Sequence, residues 1–488
     1  MIREPLIFEL SAKGKKAFSL QQLDVPSKKE ILENIPTRND IEGFPQVSEV
    51  EIVRHFTRLS QTNHCVDIGF YPLGSCTMKY SPKINEKLAS SPDFMLSHPL
   101  APQDLIQGNL EILKRTEELL AETTGMDAFT LQPSAGAQGE LVGMMLIRAS
   151  HEEKGNPRKI VLIPDSAHGT NPSSAHICGY QVREIKSNEK GTINVDDLSQ
   201  NMTEDVAALM ITNPNTLGVF EDEIKKIAYI VHAKGGFIYM DGANMNALAG
   251  ICRPGDMNVD VIHLNLHKTF STPHGGGGPG AGPVGVKRKL EPFLPIPVIE
   301  REGNQYFLDI DRPQSIGRVR SFFGNFAVIV KSLAYILSLG FEGLKEISEI
   351  AVLNSNYIRK SLEKDYYLKY ESPTLHECVF SDKFQREYGI QNIDIAKRLI
   401  DFGLHPPTMS FPLIVHGALM IEPTETESKR DLDLFIGAMK QIAKEAKEDP
   451  KILKSAPHIS YVRRLDETSA ARNPILKWDY QTDKVKKE

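Results

Sequence analysis

Short runs of apolar residues alternate with loops and helical segments between residues 136 and 285, and this alternation constrains the fold more than any other feature. A strand whose residues are continuously apolar is buried on both faces, as in a parallel sheet that helices cover. The pattern therefore predicts an α/β fold around a mostly parallel sheet, with a helical segment at Asp222–Lys234. The apolar runs are Lys159–Pro164, Val206–Thr212, Gly235–Asp241 and Asp260–Asn265.

The chain is expected to have three parts. Residues 1–100 are rich in proline and irregular apart from a predicted amphipathic helix at Val47–Leu59, so we expect an N-terminal arm that wraps over a body. Residues 101–330 should form the large domain with the sheet. Residues 331–488 predict a long connecting helix and a smaller α+β C-terminal domain, because apolar residues recur at helical spacing: Leu344, Ile347, Ala351, Leu432, Phe435, Ile436, Met439 and Ala443.

Composition narrows the range of partners and compartments. The chain has 488 residues, a formal net charge of −6 and five scattered cysteines. This charge gives no reason to expect a nucleic acid or an anionic membrane as a partner, and no apolar run approaches the roughly 20 residues of a membrane span. The N-terminus has no signal-peptide core. The cysteines form no CxxC pair, which argues against a zinc site and a disulfide scaffold and favours the reduced cytoplasm.

Asp241 and Lys268 carry the clearest chemical signal. Each stands at the end of an apolar run, and 27 residues separate them. Such an acid and lysine are typical of a pyridoxal phosphate site, where the lysine forms the Schiff base and the carboxylate keeps the pyridine nitrogen protonated. Singly, each has an ordinary interpretation, because a buried aspartate can pair with an arginine and most lysines are solvated. Together they predict carbanion chemistry on an amino acid.

A second segment, Leu131–Glu140, predicts the site of the cofactor phosphate. Small residues here precede an apolar-periodic segment, so a helix N-terminus and free backbone N–H groups would point at an anion. An ordinary capped helix is the alternative for this motif alone. Beside Asp241 and Lys268 we favour phosphate binding, and the predicted donors are Ser134, Ala135, Gly136 and Gln138.

Two further loops follow apolar strands, where ligands collect in open α/β sheets. His168 could stack on a cofactor ring, or it could be a loop histidine whose nitrogens bond to the backbone. Asn213 and Thr216 could contact the substrate or the phenolic oxygen of the cofactor, or they could be turn formers. The residues alone leave these alternatives open.

Two other patterns are rejected as functional motifs. His263 and His267 are four residues apart, but on a strand this spacing does not converge two imidazoles, and no acidic third ligand is expected near them, so we predict no metal site. Gly280, Gly282 and Gly285 match a dinucleotide-binding fingerprint formally. The segment after them leads to prolines and not to a helix, so we expect these glycines to allow close backbone approach.

Several long segments resemble the glycine dehydrogenase (decarboxylating) family, the P-proteins of the glycine cleavage system. The resemblance runs nearly end to end and is strongest to the second subunit of P-proteins that are split into two chains. The matching segments are Glu42–Ser60, Tyr71–Pro82, Gln132–Glu140, Asp165–Ala175, Tyr239–Ala247, Leu264–Gly280, His405–Pro412 and Glu422–Ser428.

This resemblance implies a fold-type-I pyridoxal phosphate enzyme. Lys268 would be the Schiff-base lysine, Asp241 would hold the pyridine nitrogen, and His168 would stack on the ring. The predicted cofactor-binding residues also include the neighbours Ala243 and His267. The resemblance further places a loop over the active site and brings five of its residues near the substrate: Tyr71, Ser75, Cys76, Thr77 and Lys79.

The implied reaction is the decarboxylation of glycine, with transfer of the aminomethyl group to the lipoyl arm of the H-protein and release of CO2. Because single-chain P-proteins are about twice as long, the resemblance also implies P-protein subunit 1 as a partner in an α2β2 heterotetramer. Candidates for the group that binds the glycine carboxylate are Arg318, Arg320 and the loop 75–79. The alternatives are another fold-type-I enzyme, either an amino acid decarboxylase or an aminotransferase, and a catalytically silent scaffold subunit.

Overall fold

The structure is a computed structural model that describes residues 4–22, 24–25, 35–38, 41, 43–274 and 280–476. By its internal contacts the chain divides into two compact units, one with residues up to Ile68 and from Ala456 onward, the other spanning Gly69–Ser455. The boundaries between these units do not fall at residues 100 and 330, so the predicted division into three parts stays a prediction. The predicted site residues all belong to the second unit. Four of the glycines in the predicted glycine-rich stretch, at 275–278, lie outside the described residues.

A seven-stranded sheet forms the centre of the larger unit. Its order is β1-β7-β6-β5-β4-β2-β3, and the strands from β6 to β3 pair in parallel, whereas β7 is antiparallel to both β6 and β1. The predicted α/β fold with a mostly parallel sheet is therefore confirmed. The strands are β1 (Ala128–Thr130), β2 (Ile160–Pro164), β3 (Gln181–Ile185), β4 (Val206–Thr212), β5 (Phe237–Gly242), β6 (Val261–Leu264) and β7 (Val284–Val286).

Helices cover both faces of this sheet. In β4 every residue is buried, and alternate side chains enter different cores: Leu209 and Ile211 join one cluster, and Ala208 and Met210 the other. This alternation follows from the two-residue period of a strand, and it explains the continuous apolar runs of the sequence. The helices before and between the strands are α5 (Gln107–Thr124), α6 (Gly136–Glu153), α7 (Thr170–Ile177), α8 (Val195–Asn201) and α9 (Ile224–Ala233).

A smaller three-stranded antiparallel sheet follows later in the chain. Its order is β10-β12-β11, and the register places Cys378 opposite Ile421. Its core includes Phe380, Leu419 and the predicted face of the second long helix, so the helical spacing in this region is confirmed. The elements are α10 (Phe326–Leu362), β10 (Cys378–Ser381), α11 (Lys383–Arg386), α12 (Asn392–Asp401), β11 (Thr408–Met409), β12 (Ala418–Ile421), α13 (Lys429–Glu448) and α14 (Pro450–Ser455).

The remaining elements are short. A two-stranded hairpin pairs β8 with β9, and two short helices precede α5 in the larger unit. In the other unit a helix begins after Ser48, whose side chain and that of Glu51 cap each other's backbone, close to the predicted start at Val47. The bounds are α1 (Ile7–Leu10), α2 (Glu49–Ser60), α3 (Lys83–Ala89), α4 (Pro92–Met95), β8 (Val298–Glu302), β9 (Gln305–Asp309) and α15 (Glu467–Arg472).

Among the described residues, helix α10 is the one helix that is long and apolar enough to cross a membrane by length and composition alone. A core helix of a globular protein passes the same test, and the backbone of α10 breaks at Gly340, where φ is 63°. Its residues Leu344 and Ile347 pack in the core of the large sheet, and Ile358 and Leu362 pack in that of the small sheet. Helix α10 therefore joins two cores.

Replacing Glu117 with glutamine is expected to raise the thermal unfolding midpoint at pH 8 and to change it little at pH 5. Burial within α5 raises the pKa of Glu117 to about 8, and Lys114 Nζ at 3.8 Å offsets this only in part. The stability that the neutral carboxyl contributes is complete below the usual pKa and is lost as the pH rises through about 8, which costs about 4 kcal/mol at pH 8. Equal gains at both pH values would contradict the assignment.

Candidate active site

A cavity of about 210 Å³ lies where the parallel strands β4, β5 and β6 end. Asp241 in β5 and Lys268 in the turn after β6 both line it, although 27 residues separate them, because neighbouring parallel strands end at the same edge of the sheet. The structure thus brings together the two residues of the predicted cofactor signal. The described lining also includes Ser75, Gly136, Ala137, Glu140, His168, Thr170, Thr212, Thr216, Ala243, Asn244, His263, Asn265 and His267.

Asp241 is buried and hydrogen-bonded on both carboxyl oxygens. Oδ1 accepts from the Ala243 backbone N–H at 2.9 Å and lies 3.4 Å from His263 Nε2, and Oδ2 accepts from Asn171 Nδ2 at 3.2 Å. Burial alone would raise the pKa of this carboxyl, but His263 and then Lys268 hold it below its usual value. An ionised acid is therefore fixed at the wall of the cavity.

His263 was missed as a site residue. The strand register places Asp241 and His263 side by side on β5 and β6, and Tyr239 OH lies 2.6 Å from His263 Nδ1. The expectation that no acidic group lies near His263 is wrong, since Glu140 and Asp241 both offer an oxygen within 4.8 Å of its ring nitrogen. Aligning the ends of the two predicted strands would have revealed that Asp241 and His263 are neighbours, whereas the spacing of residues along one strand does not.

Helix α6 presents its N-terminus to the cavity through Gly136 and Ala137. No side chain caps this end, because Ser134 donates from both its backbone N–H and its hydroxyl to Gln138 Oε1, at 2.8 and 2.9 Å. A Cβ on Gly136 would lie 2.2 Å from Asn265 Nδ2, so a larger residue here would displace the Asn265 side chain that lines the cavity. Free backbone N–H groups at a helix N-terminus favour an anion. Among the described residues that line the cavity, Gly136 is the only one of the four predicted phosphate donors.

His168 and Thr216 line the cavity, whereas Asn213 is not part of the described lining. His168 is exposed, with Nδ1 2.7 Å from Thr170 Oγ1, and its ring meets the Phe411 ring edge-to-face with centroids 5.6 Å apart. Asn213 is fully buried, and its Oδ1 accepts from the Glu221 backbone N–H at 3.0 Å. This contact fits the turn-forming alternative for Asn213.

His267 lines the cavity as an uncharged ring. Burial, then the nearby His274 and Lys268, lowers the pKa of His267 to about 3. Its Nδ1 is buried without a hydrogen-bond partner in the described chain, as is the hydroxyl of Thr212, another lining residue. Unpartnered buried polar atoms are costly, so these two are candidates for contacts with a bound polar group.

The predicted substrate loop reaches the cavity at Ser75. Lys79 is instead fully buried in an ion pair with Glu425 at 2.7 Å, and it also donates to the Thr269 carbonyl at 2.9 Å. The Tyr71 ring stacks on His405 with centroids 3.9 Å apart, and burial raises the pKa of the Cys76 thiol. Of the predicted loop residues, Ser75 is thus the one among the described residues that line the cavity. Lys79 anchors the loop at Thr269, the residue after Lys268.

These features together fit pyridoxal phosphate. Lys268 supplies an amine that forms no ion pair within the described chain, Asp241 supplies an ionised carboxylate, and α6 supplies an uncapped N-terminus. The three groups match the aldehyde, the pyridine nitrogen and the phosphate of that cofactor.

The chain is similar to known proteins along nearly its whole length. It is 56% identical to a probable glycine dehydrogenase (decarboxylating) subunit 2 of Caldanaerobacter subterraneus, over 97% of this chain and 98% of that one. For the protein of the same name from Pyrococcus horikoshii the identity is 53%, over 97% and 96%. Residues 347–458 match the family "Glycine dehydrogenase, C-terminal domain", and residues 134–293 match "Aminotransferase class-V".

Solved structures show the same fold. The crystal structure of a glycine decarboxylase (P-protein) of the glycine cleavage system, in inhibitor-bound form, superposes with a TM-score of 0.70 at 19% identity, over 85% of this chain and 93% of that chain. A cysteine desulfurase of Thermococcus onnurineus superposes with a TM-score of 0.59 at 14% identity, over 78% and 95%. Fold and family together establish a fold-type-I enzyme with pyridoxal phosphate as its cofactor. The chain belongs to the glycine dehydrogenase (decarboxylating) subunit 2 family.

Proposed function

We propose that this chain decarboxylates glycine in the glycine cleavage system, transfers the aminomethyl group to the lipoyl arm of the H-protein, and releases CO2. The observation that carries the proposal is the placement of Lys268 and the buried, ionised Asp241 in one cavity. The full-length relatives at 53–56% identity, whose name specifies this substrate class, support it.

The residues of the cavity have distinct proposed roles. When bound, pyridoxal phosphate supplies a ring that accepts the electron pair left when the carboxyl group departs. Lys268 would hold the cofactor covalently, and Asp241 would keep a proton on its pyridine nitrogen. His263 stabilises the ionised form of Asp241 through their 3.4 Å contact, so the acid does not neutralise in its buried position. The N-terminal turn of α6 would hold the phosphate. His168 would stack on the ring.

The proposed overall reaction is balanced without a further reactant. Loss of CO2 from glycine leaves the atoms of methylamine. These add across the lipoyl disulfide, with the aminomethyl group on one sulfur and a proton on the other. The disulfide is thereby reduced while the carbon that bore the carboxyl group is oxidised, so the H-protein acts as the acceptor in the reaction.

We further propose the partners and the compartment. The chain would work with P-protein subunit 1, a chain of similar fold without the lysine, in a heterotetramer with two copies of each. The name "subunit 2" of its relatives supports a partner subunit. The five cysteines are all free thiols, which suits the reduced cytoplasm.

The proposal is tested by the mass of the H-protein after incubation with glycine, this chain and its partner subunit. The lipoylated H-protein is expected to gain the mass of methylamine. An H-protein without the lipoyl group is the control, and it should gain nothing. Release of CO2 from glycine at the same rate with either H-protein would instead indicate an ordinary amino acid decarboxylase.

A further inference from the structure

Two glutamates outside the predicted site meet at one end of the small sheet. Glu377 immediately precedes β10 and Glu422 immediately follows β12, and the antiparallel register that pairs Cys378 with Ile421 makes them cross-strand neighbours. Both are fully buried. An oxygen of each, together with a ring nitrogen of His376, lies within 4.8 Å of the others.

These carboxyl groups hold the loop that forms one wall of the cavity. Glu377 Oε2 accepts from the Ser75 backbone N–H at 2.8 Å, and Glu422 Oε2 accepts from the Thr77 backbone N–H at 3.0 Å. Ser75 and Thr77 have φ values of 61° and 44°, a left-handed conformation that non-glycine residues rarely adopt. Such strain persists only when the surroundings enforce it. The two glutamates supply that enforcement, and Ser75 lines the cavity.

No cation described in the structure neutralises both acids by direct contact. The charged and titratable groups that face them are Lys268 after β6, Lys79 in the loop, Cys76 between the two strained residues, and His376. Lys79 is paired with Glu425, and burial, then Lys268, lowers the pKa of His376 to about 3, so its ring is neutral. Lys268 influences both carboxyls electrostatically without an ion pair to either.

Two buried carboxylates this close cannot both be ionised near neutral pH. Burial, and then the proximity of Glu422, raises the pKa of Glu377 well above its usual value, and burial raises that of Glu422. Glu422 accepts from both the backbone and the hydroxyl of Thr77, whereas Glu377 accepts one backbone bond and a longer one of 3.4 Å from Asn244. More donors favour the charge on Glu422 and leave the proton on Glu377.

We propose that Glu377 and Glu422 form a carboxyl pair with one shared negative charge, and that this pair positions Ser75 and Thr77 against the cavity that holds Lys268. They are positioning residues, since they act through the loop. When the remaining proton is lost at alkaline pH, two negative charges repel each other and the loop loses its fixed conformation. The inference rests on the proposed function only for its activity readout.

The first experiment compares Glu377→Gln with Glu377→Ala in the complete enzyme. Glutamine keeps a neutral group that accepts the Ser75 N–H, so activity at pH 7 should stay within about threefold while the alkaline fall in kcat moves up by about one pH unit or more. Alanine leaves that N–H unpaired, and KM for glycine should rise by about tenfold or more. Glu117→Gln is the matched control, a buried glutamate in α5 whose replacement changes the pH dependence of stability but should leave the pH profile of kcat unchanged.

A second readout needs no decarboxylation. Cys76 lies between Ser75 and Thr77, and its alkylation rate, measured peptide by peptide, reports release of the loop. In the unsubstituted enzyme this rate should rise at alkaline pH more steeply than in Glu377→Gln, while the exposed Cys65 should respond equally in both. If glycine turnover is absent altogether, this comparison still tests the pair.

A third set of variants covers the case in which changes at Glu377 prevent folding. Thr77→Val removes a donor from Glu422, so the shared charge moves toward Glu377 and ionisation of both carboxyls becomes less favourable. The alkaline fall in kcat should therefore move to higher pH, and Thr77→Ser should restore its position. The proposal is overturned if Glu377→Gln shows the same alkaline fall in kcat and the same Cys76 alkylation rates as the unsubstituted enzyme. It is equally overturned if Thr77→Val and Thr77→Ser have the same profile.

Discussion

Replacing Lys268 with alanine is expected to abolish the visible absorbance of the protein-bound cofactor and to lower exchange of bicarbonate into glycine by on the order of 10³-fold or more. The reason is that the amine of Lys268 is the one lysine amine in the described lining of the cavity. Absorbance spectra and exchange rates of the same preparation measure both effects.

The matched control is Lys287→Ala. Lys287 follows β7 at the edge of the sheet where β6 begins, since Val286 pairs with Val261, and its ammonium donates to the Gly125 carbonyl at 2.9 Å. This variant should keep the absorbance and the activity. Persistence of the cofactor absorbance in Lys268→Ala would remove Lys268 from its assigned role.

Replacing Asp241 with asparagine should leave the cofactor attached but lower exchange by about 10²- to 10³-fold, the usual cost of losing one preorganised electrostatic partner. Asparagine is close in shape to aspartate and can still accept the hydrogen bond from the Ala243 N–H. It has no negative charge, so a proton on the pyridine nitrogen is no longer stabilised. The expected result is retained absorbance with a low kcat.

Asp260→Asn is the control for this second variant. Asp260 is also buried and also pairs with a histidine, with Oδ2 2.7 Å from His232 Nε2, but it stands just before β6 at the far end of the strand. Its replacement should lower stability without changing kcat. If Asp241→Asn and Asp260→Asn lose activity to the same extent, the loss reflects folding and not the charge beside the cofactor.

The sheet was predictable because buried parallel strands leave a continuous apolar signal. Four of its seven strands carry that signal, and all four lie where it predicts them. Strands β1 and β7 have three residues each, too short for a period to appear, and the edge strand β3 is partly exposed and carries charged residues. Their places depend on tertiary pairing, which the local pattern does not encode.

The sequence predicts the site residues only where they stand at the ends of predicted strands. Asp241 and Lys268 each end an apolar run, so their proximity follows from the parallel sheet. His263, Glu377 and Glu422 reach the region through strand register, and no spacing in the sequence links them to Lys268. Lys79 was expected near the substrate, but the sequence does not reveal Glu425 as its buried partner. A residue type and a loop assignment do not determine which ion pair forms.

The most direct test of the central claim is the exchange of labelled bicarbonate into the carboxyl group of glycine, measured with this chain, its proposed partner subunit and lipoylated H-protein. Exchange that requires all three and disappears with Lys268→Ala is the predicted result. A preparation that shows the absorbance of lysine-bound cofactor but no exchange with all three present would contradict the proposed reaction.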